Sequence, residues 1–244
     1  MAIRGDDGDD RIKGTNADDE IFGLEGDDFI TARKGADEIY GADGEDLIKG
    51  QKGADLVYGG GEDDVIMGNR GSDILYGGGE DDRLFGGAGA DELYGGGGGD
   101  IMQGGQGRDF LVGFTGEDLL RGGLLKDTLK GGADDDKLVG GRGDDKLVGG
   151  TGDDWLKAGA GDDIMRGGAG ADLFQFKSGN DVARDFDGVE GDVIDLRSFD
   201  LGSLQEVKEA SKNVGDDLVM TFGDDTLTLL DTQKSDLAQD DFML

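Results

Sequence analysis

The stretch that decides the fold is Gly149-Gly150-Thr151-Gly152-Asp153-Asp154-Trp155-Leu156-Lys157, one of a series of nine-residue repeats. From Gly5 to Arg184 the sequence divides into 20 such repeats without an insertion or a deletion. Aspartate occupies the sixth place in all 20, and a large apolar residue occupies the eighth place in 19, with Ala183 as the exception. Glycine occupies the first place in 17 repeats and the fourth place in 15. A period of this regularity indicates a solenoid of stacked repeats.

The composition around this period excludes several classes of protein. The 244 residues include 24 Lys and Arg against 57 Asp and Glu, a net charge of −33, with 52 glycines and no Pro, Cys or His. Without Cys or His the chain has no disulfide, thiolate nucleophile, imidazole base or Cys-ligated metal site. The negative charge disfavours nucleic acid as a partner, and no apolar run has the roughly 18 residues that span a bilayer. Composition alone would allow disorder, but the order of the residues argues against it.

The period has a physical interpretation. A strand of two to three residues at places seven to nine turns only its eighth-place side chain inward, because side chains alternate between the faces of a strand. The other six residues must then turn the chain, and we expect glycines at places one, two and four to supply the positive φ angles. Two repeats make one 18-residue coil with a strand on each side.

The repeats resemble the G-G-x-G-x-D-x-U-x unit of RTX (repeats-in-toxin, hemolysin-type) calcium-binding proteins. Besides Gly149–Lys157, the segments Gly86–Tyr94, Gly104–Val112, Gly140–Val148 and Gly167–Gln175 fit this unit, and the resemblance covers about three quarters of the chain. It implies an all-β fold, a right-handed parallel β-roll of about ten 18-residue coils, followed by a small mixed C-terminal cap. The predicted domains are a β-roll over residues 1–184, with repeats at 5–184, and a cap with secretion-signal region over 185–244.

Stacked coils place the sixth-place aspartates in two rows, one along each edge of the roll. Carboxylates in register repel one another unless cations lie between them, and a set of oxygen ligands suits Ca²⁺ rather than Mg²⁺, Zn²⁺ or copper. The resemblance implies that each ion lies between successive turns, bound by both aspartates and by backbone carbonyls, with up to nine ions per edge. The predicted metal ligands are Asp10, Asp19, Asp28, Asp37, Asp46, Asp55, Asp64, Asp73, Asp82, Asp91, Asp100, Asp109, Asp118, Asp136, Asp145, Asp154, Asp163, Asp172 and Asp181.

Some loops depart from the pattern. In the fourteenth repeat Leu125 replaces the fourth glycine and Lys126 stands beside Asp127, so we exclude Asp127 from the predicted ligands. Three other repeats carry an acidic residue with a Cβ in the fourth place, where it could strain the turn: Glu62, Glu80 and Asp134. We therefore expect 12 to 16 Ca²⁺ ions rather than the full number.

Two rows of apolar residues are expected on the outer faces of the roll. Ninth-place residues form an aromatic ladder, which could be a stacking platform for a sugar chain or, as we favour, a cross-strand ladder that stabilises its sheet; the row is Phe22, Tyr40, Tyr58, Tyr76, Tyr94 and Val112. Seventh-place residues form an apolar stripe on the opposite sheet, where a dimer or partner contact is the alternative to a structural role; the row is Phe29, Leu47, Val65, Ile101, Leu119, Trp155 and Leu173.

The last sixty residues lose the period. The segment around Ile194 predicts a strand that closes the roll, and Ser203 with Glu206 forms a capping box for a short helix. Alternating apolar residues on both sides of the turn at 223–225 predict a hairpin. This segment is similar to the cap that follows RTX repeats in secreted bacterial proteins, and Asp241-Phe242-Met243-Leu244 resembles the terminal signal of type I export.

We therefore expect a secreted bacterial calcium-binding protein that is not an enzyme, because no room for a catalytic domain is left outside the repeats. Its extracellular or cell-surface location would follow export by the type I (ABC-transporter) apparatus, and calcium would fold it there. Two alternatives remain. The chain could be a module that binds extracellular polysaccharide or a surface through its tyrosines, or the C-terminal part of a larger RTX enzyme or toxin.

Overall fold

The repeats form a parallel β-roll in a computed structural model, which describes residues 1–199 and 201–244. Each coil contributes one strand to each of two sheets. The sheets have 14 and 12 strands, numbered β1 to β26 along the chain. Alternate strands therefore belong to opposite sheets, as a period of two nine-residue repeats requires.

The first sheet contains the odd-numbered strands together with β24, and it ends in an antiparallel extension. Its strands, in spatial order, are β1 (Ala2–Arg4), β3 (Glu20–Glu25), β5 (Glu38–Asp43), β7 (Leu56–Gly61), β9 (Ile74–Gly78), β11 (Glu92–Gly97), β13 (Phe110–Thr115), β15 (Thr128–Ala133), β17 (Lys146–Thr151), β19 (Ile164–Ala169), β21 (Asn180–Ala183), β25 (Asp225–Leu229), β24 (Asp217–Phe222) and β23 (Ser211–Val214).

The second sheet is parallel throughout. Its strands, in spatial order, are β2 (Arg11–Lys13), β4 (Phe29–Lys34), β6 (Leu47–Lys52), β8 (Val65–Arg70), β10 (Arg83–Ala88), β12 (Ile101–Gln106), β14 (Leu119–Leu124), β16 (Lys137–Arg142), β18 (Trp155–Ala160), β20 (Leu173–Gln175), β22 (Val193–Asp195) and β26 (Phe242–Met243).

The core lies between the two sheets and consists of the eighth-place side chains. Residues 18 apart are direct partners, as in Ile21 with Ile39 and Ile39 with Val57, and these side chains have no exposed surface. Strict register follows because a slip of one residue would turn each apolar side chain outward. The prediction of a core built from the eighth place is confirmed.

The strands are longer than the sequence predicted. Most contain six residues, places seven to nine of one repeat and one to three of the next, as in Phe29–Lys34. Glycine is typical of turns, so the glycines at places one and two predicted that each strand ends at place nine. In the structure the first place lies within the strand and faces inward, as Gly41 does beside the buried Ile39.

The role expected for the first-place glycines is also wrong. Positive φ angles occur at the second and fourth places, for example 138° at Gly60 and 145° at Gly53, whereas the first-place Gly41 and Gly59 do not have them. Four fourth-place residues with a Cβ do adopt the left-handed conformation, with φ between 67° and 78°: Glu62, Glu80, Leu125 and Asp134. Residues with a Cβ adopt this conformation only rarely, which is the basis of the expected strain, and weaker calcium binding at these loops stays a prediction.

The C-terminal segment, residues 185–244, extends the roll by roughly one turn beyond the coils of the repeats. Strand β22 pairs in parallel with β20, and β25 pairs in parallel with β21. The helix α1 (Leu204–Ala210) begins after Ser203, whose side chain accepts a hydrogen bond from the Glu206 backbone, and a 3-10 helix covers Arg197–Phe199. The closing strand, the helix and the hairpin of β24 and β25 are confirmed, while β23 was not predicted. Both sheets continue across residue 184, so the division into 1–184 and 185–244 stays a prediction.

Candidate metal centres at the edges of the roll

Most sixth-place aspartates lie immediately before a strand and are buried, although Asp10 is half-buried and Asp181 lies within β21. Asp73 and Asp163 have no exposed surface, and Asp46 and Asp145 are 2% exposed. Each backbone carbonyl accepts a hydrogen bond from the first strand residue of the next coil, as Asp28 does from the Leu47 N–H at 2.8 Å. The backbone therefore fixes the position of each carboxylate relative to the coil above it.

One oxygen of each carboxylate joins neighbouring coils. The backbone N–H of Asp28 donates to Oδ1 of Asp46 at 2.8 Å, and that of Asp46 donates to Oδ1 of Asp64 at 2.8 Å. The same bond repeats every 18 residues along both edges, up to Asp154 with Asp172 and Asp163 with Asp181. We call each series an amide–carboxylate ladder. It satisfies one carboxylate oxygen per aspartate and leaves the other free.

The second oxygen, Oδ2, is buried without a hydrogen-bond partner in most of the row. A buried polar atom without a partner is costly, and an ionised one more so. This position therefore demands a positive ligand, which agrees with the predicted cation. The aspartates concerned are Asp28, Asp37, Asp46, Asp55, Asp64, Asp73, Asp82, Asp91, Asp100, Asp109, Asp118, Asp127, Asp136, Asp145, Asp154, Asp163 and Asp172.

First-place glycines keep the space beside Oδ2 open. A Cβ added at Gly41 would lie 2.0 Å from Oδ2 of Asp46 and 2.6 Å from the backbone oxygen of Gly59 in the next coil. A Cβ at Gly149 would meet Oδ2 of Asp154 at 2.1 Å and the Gly167 oxygen at 2.6 Å. A carboxylate oxygen and a carbonyl oxygen thus approach the same space. At Gly41 and Gly149 the glycine leaves room for these oxygens rather than supplying a special backbone conformation, whereas Ala32, Ala158 and Phe176 occupy the first place in the other three repeats.

Burial changes the acidity of these carboxylates. Desolvation raises the pKa of Asp46 to about 7 and that of Asp64 to about 8, and the neighbouring carboxylate in the row adds to the increase. Asp100 and Asp136, deep in the same row, have their pKa raised to about 8 for the same reason. A neighbouring cation would oppose this effect, because opposite charge favours the ionised form.

The first coil differs from the others. Oδ2 of Asp10 accepts a hydrogen bond from the Asp6 N–H at 2.7 Å, and Oδ2 of Asp19 accepts one from the Thr15 N–H at 2.7 Å. The Thr15 bond lowers the pKa of Asp19, and the Met1 amino group lies 3.5 Å from its other oxygen. These two predicted ligands therefore already have partners within the protein.

The oxygen ligands available at each position suit Ca²⁺, although they do not form a compact cage of side chains. In the described part of the chain no three acidic side chains converge on one point. Each position offers one or two carboxylates, and the backbone carbonyls of adjacent turns would complete the coordination. Ca²⁺ accepts six to eight oxygen ligands in flexible geometry, whereas Mg²⁺ requires a near-ideal octahedron. A Ca²⁺ ion bound there would supply the positive charge that balances the buried Oδ2.

All nineteen predicted ligands lie in the two rows, and the structure adds two aspartates. Asp127, which we excluded, is fully buried and has the same unpaired Oδ2, although Leu125 in its loop is 59% exposed. Asp192 continues one row, since its Oδ1 accepts the Asp172 N–H at 2.9 Å. Sequence reasoning missed Asp192 because it lies 20 residues after Asp172. The signal was present in Asp192-Val193-Ile194, which repeats the D-x-U order.

The aromatic ladder is present on the first sheet. From Phe22 to Tyr94, rings of successive coils stack with centroids 4.8 to 5.1 Å apart and planes 5° to 10° from parallel. Since the rings cover each other's faces, the rings between Phe22 and Tyr94 present their edges, rather than their faces, to a ligand. This geometry supports a sheet-stabilising role. The apolar stripe also lies where predicted, half-buried on the second sheet.

The family follows from these repeats. A model of the RTX calcium-binding nonapeptide repeat matches in overlapping segments over residues 4–183. The chain belongs to this family. No curated protein matches it. Among solved structures the chain is similar to the extracellular lipase LipA from Serratia marcescens, with 17% sequence identity and a TM-score of 0.26. The match covers 100% of this RTX chain and 40% of the lipase chain, so the chain spans less than half the length of that protein.

Proposed function

We propose that this RTX protein is a secreted, non-enzymatic calcium-binding protein whose roll folds when several Ca²⁺ ions bind outside the cell. The single observation that carries the proposal is the row of buried, unpaired Oδ2 atoms along both edges. Without cations, the folded roll would have to bury these carboxylates either as unpaired charges or in the protonated form, and both cost free energy at neutral pH. We infer that the chain is unfolded where calcium is scarce and folded where it is plentiful.

The calcium requirement is tested by circular dichroism. The β signal is expected to be absent in EGTA and to appear on addition of about 10 mM CaCl₂, above the 10⁻⁴–10⁻³ M affinities of extracellular modules. The variant Asp64→Asn removes one buried carboxylate, and Glu62→Gln removes the same charge from an exposed position in the same loop. The calcium midpoint is expected to rise for Asp64→Asn alone. An equal β signal in EGTA and calcium would disprove the proposal.

A role without catalysis is supported by the residue inventory. The sequence has no His or Cys to act as base or nucleophile, and its buried carboxylates are used along the edges of the roll. Calcium-loaded protein is expected to show no turnover of ester, peptide or glycoside substrates above that of a heat-denatured sample. Turnover that co-purifies with the folded protein would replace this proposal.

Type I export is supported by the repeats and by the acidic-then-apolar residues at 241–244. Within the described residues no helix has the length and apolarity to cross a bilayer. Removing residues 241–244 is expected to keep the protein inside cells that carry a type I exporter. Since Phe242 pairs with Ile194 in the second sheet, the truncated protein must also be refolded in calcium, to separate lost export from lost folding. Undiminished export of the truncated protein would contradict the proposal.

A further inference from the structure

The positive charges of the first half of the chain lie on one face. Residues 1–90 contain nine Lys and Arg, and all but Arg4 lie in strands β2 to β10 of the second sheet. No strand of that sheet from β2 to β20 contains Asp or Glu. On the first sheet β3 and β5 carry acidic residues, such as Glu20 and Glu38, beside the aromatic ladder, whereas β7 and β9 contain none. We call the outer face of β2 to β10 the basic face.

Like charges lie directly opposite one another on this face. Lys34 pairs with Lys52, and Lys52 pairs with Arg70, so three exposed cations form a row across adjacent strands. Like charges in direct cross-strand register destabilise a sheet. Among residues 1–199 and 201–244 the ion pairs are Met1 with Asp19, Arg166 with Asp185 and Arg197 with Asp195, and none of them lies on the basic face. Although the chain has 57 acidic residues, no carboxylate in the part of the chain that the structure describes lies within 4.0 Å of the charged atoms of this row.

Two adjoining grooves run over the same face. A cavity of about 370 Å³ is lined by Arg11, Phe29, Arg33 and Gln51, among others, and a second of about 470 Å³ by Gln51, Lys52, Asn69 and Arg70. They meet at Gln51, so they form one path along the roll. The path offers cations beside neutral amides and one aromatic ring. The Arg11 guanidinium lies 5.3 Å and the Lys49 ammonium 5.0 Å from the centroid of that ring, Phe29.

We propose that the basic face binds a single extended chain of an anionic polysaccharide, with a carboxylate on each sugar, lying along the axis of the roll. Coils repeat at about 4.8 Å, the spacing of paired strands, which is close to the advance of one hexopyranose in a linear chain. In an extended chain of near two-fold symmetry every second carboxylate lies on the same side, so such carboxylates would meet cations two coils apart, such as Lys34 and Arg70, while the amides of Gln51 and Asn69 would bind hydroxyls. This places a glycan on the sheet opposite the tyrosine ladder.

A nucleic acid fits the face less well. Single-stranded nucleic acid binds through free aromatic faces on which bases stack, and the one ring lining the grooves has cations over it. Exposed acidic residues such as Asp27 and Glu45 also border one edge of the face, in the turns that precede β4 and β6. One chain of low charge density can lie beside this acidic edge, whereas a wider duplex would meet it.

The inference rests on the proposed calcium-dependent fold, because the basic face exists only when coils are stacked. The probe is a short oligogalacturonate, which is too short to gel with calcium, and its methyl ester is the uncharged control. Binding to calcium-loaded protein is measured by isothermal titration calorimetry, with single-stranded DNA and anionic phosphatidylserine vesicles as further ligands. Circular dichroism and the melting temperature are recorded for each sample.

The test variant is Lys34→Gln/Lys52→Gln/Arg70→Gln. Its control is Lys130→Gln/Lys146→Gln/Lys212→Gln, which removes equal charge from exposed positions of the first sheet. The test variant is expected to bind oligogalacturonate about tenfold more weakly, from three exposed charge contacts, while the control changes little. The methyl ester is expected not to bind.

Four results would overturn the proposal. They are equal loss in both variants, no binding by folded wild-type protein, equal binding of DNA or vesicles, and calcium-dependent dimers in sedimentation velocity that the test variant abolishes. Failure of the wild-type chain to fold in calcium would overturn this proposal together with the proposed function. A folded protein that does not bind the oligosaccharide overturns the glycan proposal alone.

Discussion

Buried carboxylates are treated in opposite ways in the repeats and in the C-terminal segment. In the repeats Asp64 and its equivalents leave Oδ2 without a partner. In the C-terminal segment Asp195 accepts hydrogen bonds from the Arg197 guanidinium at 2.7 and 2.9 Å and from Gln175 at 2.9 Å. Burial raises the pKa of Asp64 to about 8, whereas the hydrogen bonds from Arg197 lower that of Asp195. The repeats therefore need an external cation, whereas the C-terminal segment supplies the cation itself in Arg197.

Removing calcium is expected to have the largest effect, because it should unfold the repeats but not the whole C-terminal segment. In EGTA we expect the amides of β5 to β19 to exchange as in an unfolded chain, since both edges lose the charge that balances Oδ2. The antiparallel hairpin of β24 and β25 is expected to keep partial protection, although a two-stranded hairpin alone is marginal. Hydrogen exchange read by mass spectrometry measures both. Uniform protection along the chain in EGTA would contradict the distinction.

Acidification in EGTA should restore the roll. The folded pKa values of Asp46, Asp64 and Asp100, about 7, 8 and 8, exceed the unfolded value near 4. The folded roll therefore binds more protons, and its stability rises as the pH falls from about 8 towards 4. Asp195 has the opposite sign, since its lowered pKa gives stability that is lost only at lower pH. The β signal is expected to increase between pH 8 and pH 5 in EGTA, and a flat profile would count against buried, unpaired carboxylates.

Filling the space between Gly41 and Oδ2 of Asp46 should weaken calcium binding without changing any charge. Gly41→Ala places a methyl group 2.0 Å from Oδ2 of Asp46, and we expect a loss of about 2 kcal/mol, typical of overpacking. Gly61→Ala is the control, because its Cβ would meet nothing within 4 Å and its φ is not positive. The free energy of unfolding at fixed calcium and the calcium midpoint measure both variants. Equal effects of Gly41→Ala and Gly61→Ala would show that calcium does not bind in the space beside Gly41.

The smallest effect is expected for Asp195→Asn. The partner Arg197 is 60% exposed on its side chain, so the lost ion pair should lower stability by about 1 kcal/mol. The midpoint of the calcium titration should stay that of the wild type, in contrast to Asp64→Asn. A shifted midpoint for Asp195→Asn would mean that the C-terminal segment also depends on calcium.

Much of this fold could be predicted from the nine-residue period. The invariant sixth-place aspartates and eighth-place apolar residues determined which side chains form the edges and the core, because a strict period leaves one solution for stacking. The length of the strands could not be predicted, since a glycine such as Gly41 has the same letter whether it turns the chain or makes room for an oxygen. Asp192 was missed because two inserted residues break the count. Lys34, Lys52 and Arg70 recur every 18 residues at the third place, so the period carried this signal too, but a third-place residue was expected to lie in a turn rather than in a strand.

The amide–carboxylate ladder has a consequence for how order spreads through the molecule. The Asp46 side chain is held by the Asp28 backbone, and the Asp46 backbone in turn holds the Asp64 side chain, so each coil is bonded to its two neighbours and to no other. Such a one-dimensional array gains stability with every coil added next to an ordered one, while an isolated ordered coil lacks partners. The chain therefore assembles by growth from a nucleus, and a single disordered turn divides it into two shorter arrays.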